Sequence, residues 1–477
     1  MDISQIKKAH FVGVGGIGVS AILRFFVHKG ISVSGADTNL PSRETLPYGE
    51  YFETHSAANV PPDADVLIYS PAVPETNIER MAAKALKIKE LSYPEALAMV
   101  TAPFTTIAVS GTHGKSTTTA LMGKMFEAGG LDPSVIVGAE VPGWQDRNLR
   151  MGKSDVFIVE ACEYRRNMLN LTPQAIVLTN LELDHPDYYV DLADTKNAFK
   201  EYIGKLSGED LLIINNDDAN IRDITNNFDA IIVRFGIGGE ADLYARNIKQ
   251  SEAEQTFELV WKGTALGSFT TPLPGLYNIY NILAALAAYL AYGGKIEAIQ
   301  PVLDAFVGVG RRFEIIGTLT DSEHGVTIIA DYAHHPTALK AVVEAARLRY
   351  ANKRMLTIFR PHHRERTIKL LDNFVEVISE IPHMILVEIY DVPGREDGIE
   401  ISSQDVITKV LERNSRADVV YATDLEDAER IARAKAAEFD VMLVIGAGDA
   451  DVLARRLTSP GTFFEHTASL STVGVEG

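Results

Sequence analysis

The chain has 477 residues, 46% of them hydrophobic, which is enough for three domains with a core each. A formal net charge of −19 argues against nucleic acid as a partner, because a phosphate backbone needs compensating lysine and arginine, and leaves small anions held by local basic groups. The single cysteine, Cys162, excludes an intrachain disulfide and fits a reducing compartment, residues 1–20 hold no signal-type apolar core, and the longest apolar run, 282–292, is too short for a bilayer, so a cytoplasmic protein without a membrane partner is expected.

Short β-branched apolar runs alternate with helix-length stretches, which predicts an α/β protein of parallel sheets covered by helices. The first block, 1–102, opens with the strand-like run His10-Phe11-Val12-Gly13-Val14 and continues through 31–33 and 66–69. Its glycines, Gly13-Val14-Gly15-Gly16-Ile17-Gly18, follow a strand and open a helix, with Asp37 further on. Alone, this is the dinucleotide fingerprint and points to a nicotinamide-dependent oxidoreductase; the diphosphate of a nucleotide sugar would use the same helix N-terminus, and close strand–helix packing would need the same glycines. Pro94 and Pro103 predict a linker.

The second block, 103–311, carries the apolar run 107–109, then Gly111-Thr112-His113-Gly114-Lys115-Ser116, then a helical stretch from Thr117. Backbone N–H groups at such a turn point at phosphate oxygens, Lys115 adds a point charge, and the Ser116 hydroxyl reaches a magnesium ion, so a nucleoside triphosphate is expected, although the turn is shorter than the general P-loop pattern. A dehydrogenase has no use for it. Further strands are expected at 156–159, 175–179 and 211–214, and an antiparallel hairpin around 257–261 with Gly263 and Gly267. Glu160 ends one strand with Glu163 three residues on, and Asp184-His185 follows the next. Magnesium prefers oxygen, which favours Ser116 and Glu160 as ligands and gives His185 a second, less oxygen-rich position; buried residues satisfied by backbone hydrogen bonds are the alternative.

The third block, 312–477, has strand-like runs at 326–329, 355–359, 384–387 and 441–445. Asp331-Tyr332-Ala333-His334-His335-Pro336 follows the first, and Arg360-Pro361-His362-His363-Arg364-Glu365-Arg366-Thr367 the second. Both clusters are expected at one sheet edge, forming a pocket for a carboxylate and an amine.

Together with Glu160-Ala161-Cys162-Glu163, 179–185, Asn278-Ile279-Tyr280-Asn281 and 310–313, these motifs in this order resemble the ATP-dependent Mur ligases of bacterial peptidoglycan synthesis, over nearly the whole length. The resemblance implies three domains: a Rossmann-like N-terminal domain for a UDP-sugar, a P-loop ATPase-like central domain, and a Rossmann-like C-terminal domain for the amino acid. It is nearest to members that join L-alanine to the lactyl carboxylate of UDP-N-acetylmuramate through an acyl phosphate, with the ligase that reattaches a murein tripeptide as alternative; a monomer or weak homodimer is expected. It implies catalytic Lys115, His185, His334 and Arg366. ATP would meet the turn 111–117 with Asn278, Asn281, Arg312 and Asp331, and magnesium (Mg2+) would meet Ser116, Glu160 and His185. Substrates would meet Gly15, Gly16, Ile17, Gly18, Asp37, Ser70, Tyr332, His334 and Arg366. The sequence departs from the family pattern at Cys162, Tyr164, Arg165, Arg166, Tyr277 and His363, which bears on the substrate. Lys200, fifteen residues after His185, stands where later-acting members carry a carbamylated lysine, against the reading of an ordinary surface lysine.

Overall fold

In the first domain the strand Lys8–Val12 buries Ala9, Phe11 and Val12 and accepts parallel neighbours on both sides. The strand order is Glu50–Phe52, Ser32–Ala36, Lys8–Val12, Val66–Tyr69, Lys89–Ser92, all parallel. Because the order reverses at Lys8–Val12, a crevice opens at its carboxyl end, and the glycine turn sits there. Helix Ile17–His28 starts from that turn and lays Ile22, Phe25 and Phe26 on the sheet. These coordinates are a computed structural model that describes residues 2–41, 46–226, 228, 230–320, 325–391, 398 and 400–458; the tail of the expected third block, 459–477, lies outside them.

The linker expected around Pro94 is instead a helix start. Ser92 and Glu95 form a capping box for helix Tyr93–Thr101, and Pro94 occupies its first turn, where a missing N–H costs nothing. Only three residues, Ala102, Pro103 and Phe104, separate that helix from the strand Thr105–Ser110.

Thr105–Ser110 lies between Val156–Glu160 and Ala175–Leu178, parallel to both, in a ten-stranded sheet. The expected hairpin is present as Gln255–Trp261 antiparallel to Thr264–Thr271 at the sheet's far edge. The apolar run from 282 belongs to helix Leu276–Ala291, which is buried against helix Lys115–Ala128 in the domain core. No described helix is long and apolar enough to cross a membrane.

The third sheet runs Glu314–Leu319, Val326–Asp331, Val441–Ile445, Met355–Phe359, His383–Val387, Asp418–Ala422, with only the first strand antiparallel. Val326–Asp331 and Met355–Phe359 flank the same central strand, so the clusters that follow them emerge at one edge. The molecule is thus a three-domain α/β protein with a nucleotide-type sheet in each third.

Candidate active site

The phosphate turn leaves Thr105–Ser110 through two glycines that nothing larger can replace. Gly111 has φ +133° and a Cβ there would lie 2.2 Å from Thr179 Oγ1; Gly114 has φ +83° and its Cβ would lie 2.2 Å from Asn281 Oδ1. The neighbouring strand end holds the turn. Asn180 Oδ1 accepts from His113 N–H (2.8 Å), Thr179 Oγ1 donates to the His113 carbonyl (2.7 Å), and Thr112 Oγ1 accepts from Glu182 N–H (2.9 Å). Thr118 Oγ1 donates to Asn281 (3.3 Å), which donates in turn to Asn278 (3.1 Å). Both asparagines are buried, on the helix that backs Gly114.

Lys115 Nζ donates to the Gly111 carbonyl (2.6 Å) and lies 2.9 Å from Glu163 Oε2. Burial opposes the charge on each, yet the pair outweighs it: Lys115 is held above its ordinary range and Glu163 below. Glu160 differs. It accepts from Gly138 N–H and from Ser116 Oγ (3.2 Å), but burial dominates and pushes its carboxyl up. A desolvated carboxylate touching a hydroxyl is a donor pair that a hard cation would relieve. His185, at φ +52°, points Nε2 to within 3.6 Å of Glu163 Oε1 and 3.8 Å of Asp184 Oδ2, with its ring against Tyr164. The donor atoms of Glu163, Asp184 and His185 all lie within 4.8 Å of one another.

Asp184 is the hub on which the third domain meets the second. Arg366 donates to its Oδ1 from Nε (3.0 Å) and Nη2 (2.7 Å), and His334 Nε2 lies 3.8 Å from its Oδ2. Burial disfavours the Asp184 charge, but Arg366, His185 and His334 hold the carboxyl well below its usual range. Arg366 Nη1 also reaches His362 Nδ1 (3.1 Å), and the His362 ring lies 5.8 Å from that of His334, so the two expected clusters meet. The Tyr332 carbonyl can only accept, which puts the proton of His334 on Nδ1 (3.0 Å). Burial and Arg366 bring His334 down to about 4, leaving a neutral imidazole at pH 7. Asp331 accepts from Phe313 N–H (2.8 Å) and Ala333 N–H (2.7 Å), so it fixes the loop that carries Arg312 over the Tyr332 ring.

In the first domain Asp37 accepts from Gly15 N–H (2.7 Å) and Asn39 N–H (2.8 Å), which ties the glycine turn to the next strand end. Gly16, Ile17, Gly18 and Ser70 line a cavity of about 310 Å³ whose opposite wall includes Glu160 and Cys162. Asp37 and Gly15 are not among its lining residues. Arg165 and Arg166 both take left-handed backbone, and Arg166 pairs with Asp194 (2.9 Å) and Glu201 (2.8 Å). Lys200 is exposed in the last turn of helix Leu192–Ile203, as the surface-lysine reading expects; the lysine of the acidic cluster is Lys115. Glu163, Asp184 and His362 carry more of this geometry than their place in the motifs indicates. Their signal was proximity to strand ends.

Three family descriptions match in order: "Mur ligase family, catalytic domain" over residues 8–105, "Mur ligase middle domain" over 109–289, and "Mur ligase, glutamate ligase domain" over 311–448. The chain belongs to the Mur ligase family. A curated UDP-N-acetylmuramate–L-alanine ligase of Alkaliphilus metalliredigens (strain QYMF) is 34% identical over 96% of this chain and 98% of its own. That of Clostridium tetani (strain Massachusetts / E88) is 36% identical over 94% and 97%. Among solved structures, the UDP-N-acetylmuramate-alanine ligase of Thermotoga maritima shares the fold with a TM-score of 0.77 at 24% identity, covering 94% of this Mur ligase and 98% of that chain. A murein peptide ligase of Psychrobacter arcticus shares it at 0.71 and 22%, with the same coverage. Membership in a ligase family removes the oxidoreductase alternative for the first glycine turn.

Proposed function

We propose that this Mur ligase joins L-alanine to the lactyl carboxylate of UDP-N-acetylmuramate, consuming ATP, in the cytoplasm. The observation that carries the reading is the 310 Å³ cavity: one end is the Gly16–Gly18 turn of the first domain and the other is Glu160, whose partner Ser116 follows Lys115. A nucleotide sugar with its diphosphate at the first helix N-terminus would extend its carboxylate toward the phosphate turn. The substrate names come from the curated relatives.

In the reaction, a carboxylate oxygen attacks the γ-phosphorus and ADP leaves; the amine then attacks the acyl carbon, inorganic phosphate leaves, and the nitrogen gives up its proton. Two anions must approach, so the first requirement is positive charge. Lys115 supplies one, exchanging Glu163 for the transferring phosphoryl group, and Arg312, whose charge opposes the burial that pushes the Glu160 and Asp331 carboxyls up, supplies another. Ser116 and Glu160 would hold one magnesium ion and His185 with Glu163 a second; the metal supplies charge neutralisation for the triphosphate. The first-turn N–H groups of helix Lys115–Ala128, at 115–117, would meet phosphate, with Asn278 and Asn281 behind the turn. On the third domain Tyr332 and His334 form the wall that meets the amino acid. Arg366 is engaged by Asp184 and His362 and acts by ordering that wall.

The test is phosphate release from ATP with UDP-N-acetylmuramate against L-alanine, glycine, L-serine and the murein tripeptide. Release dependent on both the UDP-sugar and an amino acid, with the highest kcat/KM for L-alanine, is expected. A preference for the tripeptide would move the protein to the recycling reaction, and release indifferent to the UDP-sugar would overturn the proposal.

A further inference from the structure

The cavity between the first and second domains is walled mainly by apolar side chains, among them Ile17, Leu97, Ile136 and Met168. Tyr93 brings a hydroxyl into that wall. The chain leaves the edge strand Lys89–Ser92 at its carboxyl end and turns at once into helix Tyr93–Thr101, where the Ser92–Glu95 capping box and Pro94 fix the first turn. Tyr93 is thereby set at the sheet edge that also carries the glycine turn.

Its ring is pressed against the backbone of Gly18: a Cβ there would lie 2.6 Å from Cζ, 2.8 Å from Cε2 and 3.0 Å from Cε1. The nearest of these atoms is the one that carries the hydroxyl, so the oxygen sits beside the first turn of helix Ile17–His28. No side chain caps that turn. On the side of the second domain stand Glu160 and Cys162; burial pushes the phenol up, and these two push it further. A phenol in such surroundings stays protonated and can donate. Among the described residues nothing accepts a hydrogen bond from it. A hydroxyl without a protein partner, in a cavity whose walls are mainly apolar, is the kind of group that orients a ligand.

We propose that the Tyr93 hydroxyl recognises the substrate, donating a hydrogen bond to an anionic oxygen of the UDP-sugar where that ligand crosses from the glycine turn toward Glu160. The proposal rests on reading this cavity as the UDP-sugar site. The diphosphate and the lactyl carboxylate offer the same acceptor chemistry, and each needs a neutral donor on a path where Glu160 opposes negative charge. Packing against Gly18 needs only the ring, which phenylalanine keeps, so the hydroxyl can be removed without disturbing the wall.

The full chain and its Tyr93→Phe variant are titrated calorimetrically with three ligands: UDP-N-acetylmuramate, UDP-N-acetylglucosamine, which has the diphosphate and no lactyl group, and a non-hydrolysable ATP analogue. The variant is expected to bind UDP-N-acetylmuramate about tenfold or more weakly than wild type, with its melting temperature and its affinity for the ATP analogue unchanged. An equal loss with UDP-N-acetylglucosamine assigns the accepting oxygen to the diphosphate, and a loss confined to UDP-N-acetylmuramate assigns it to the lactyl carboxylate. Unaltered affinity of the variant for UDP-N-acetylmuramate overturns the proposal and leaves the substrate reading standing. A lower melting temperature of the free variant, or a matching loss with the ATP analogue, reduces Tyr93 to a packing residue and overturns the proposal as well. Wild-type protein that binds neither UDP-sugar overturns both the proposal and the substrate reading.

Discussion

At the scale of single residues, the decisive chemistry is a set of charges held out of water by one another. Glu163 is buried, Lys115 is largely shielded, and the two are bonded, so each is the condition for the other's ionisation. Lys115→Ala is expected to cut turnover about a thousandfold or more, because a charge acting on the transferring phosphoryl group is gone. It also strands a buried carboxylate, which costs about 3 kcal/mol in stability. The double variant Lys115→Ala/Glu163→Gln should recover most of the stability and none of the activity; denaturant melts and steady-state rates check this, and recovered activity would remove Lys115 from the chemistry. His334 sets a pH dependence. Its folded value of about 4 lies below the ordinary 6.5, so the unfolded chain binds more protons in that window. Stability therefore falls as pH drops from 6.5 toward 4, by at most about 3 kcal/mol from this group. His334→Gln should flatten the slope of melting temperature against pH there, and an unchanged slope would contradict the assignment of a neutral buried imidazole.

At the scale of elements, the phosphate turn works because its two glycines let Thr179 and Asn281 approach within contact of backbone. Gly114→Ala should destabilise the protein by about 2 kcal/mol or more and weaken binding of a non-hydrolysable ATP analogue at least tenfold, since both the left-handed φ and the Asn281 amide oppose a methyl group. Calorimetric titration measures it, and wild-type affinity would mean that the turn is softer than the geometry requires. The central strands were legible in the sequence because they are buried on both faces and read as continuous apolar runs, as in 107–109, 175–178 and 441–445. The edges were not. Glu50–Phe52 has three residues and none is buried, Asp418–Ala422 buries only Ala422, and Glu314–Leu319 has a register shift. Pro94 misled because a proline in the first turn of a capped helix looks, in sequence, like a break. Lys115, Ser116, Glu160 and His185 were readable from their positions at strand ends. Asp184 was not readable as a hub, since Arg366, its main partner, is 182 residues away and only the meeting of two domains pairs them.

At the scale of the whole molecule, no single domain contains the proposed site. The first contributes the glycine turn and Ser70, the second Lys115, Glu160 and His185, and the third His334 and Arg366. Arg366 to Asp184, Thr337 to Glu182 and Lys369 to the Pro186 carbonyl (2.7 Å) stitch the third domain onto the second, while Arg24 to Asn148 (3.2 Å) and His28 to Asp146 (2.7 Å) join the first to the second. This arrangement suits a reaction in which a carboxylate from one side is phosphorylated in the middle and captured by an amine from the other, and an acyl phosphate is the species that such a path must pass through. The direct measurement is isotope transfer: UDP-N-acetylmuramate carrying oxygen-18 in its lactyl carboxylate is turned over with ATP and L-alanine, and the released phosphate is examined by mass. Phosphate bearing one labelled oxygen from the carboxylate is the predicted result, and unlabelled phosphate accompanying stoichiometric amide formation would contradict the account.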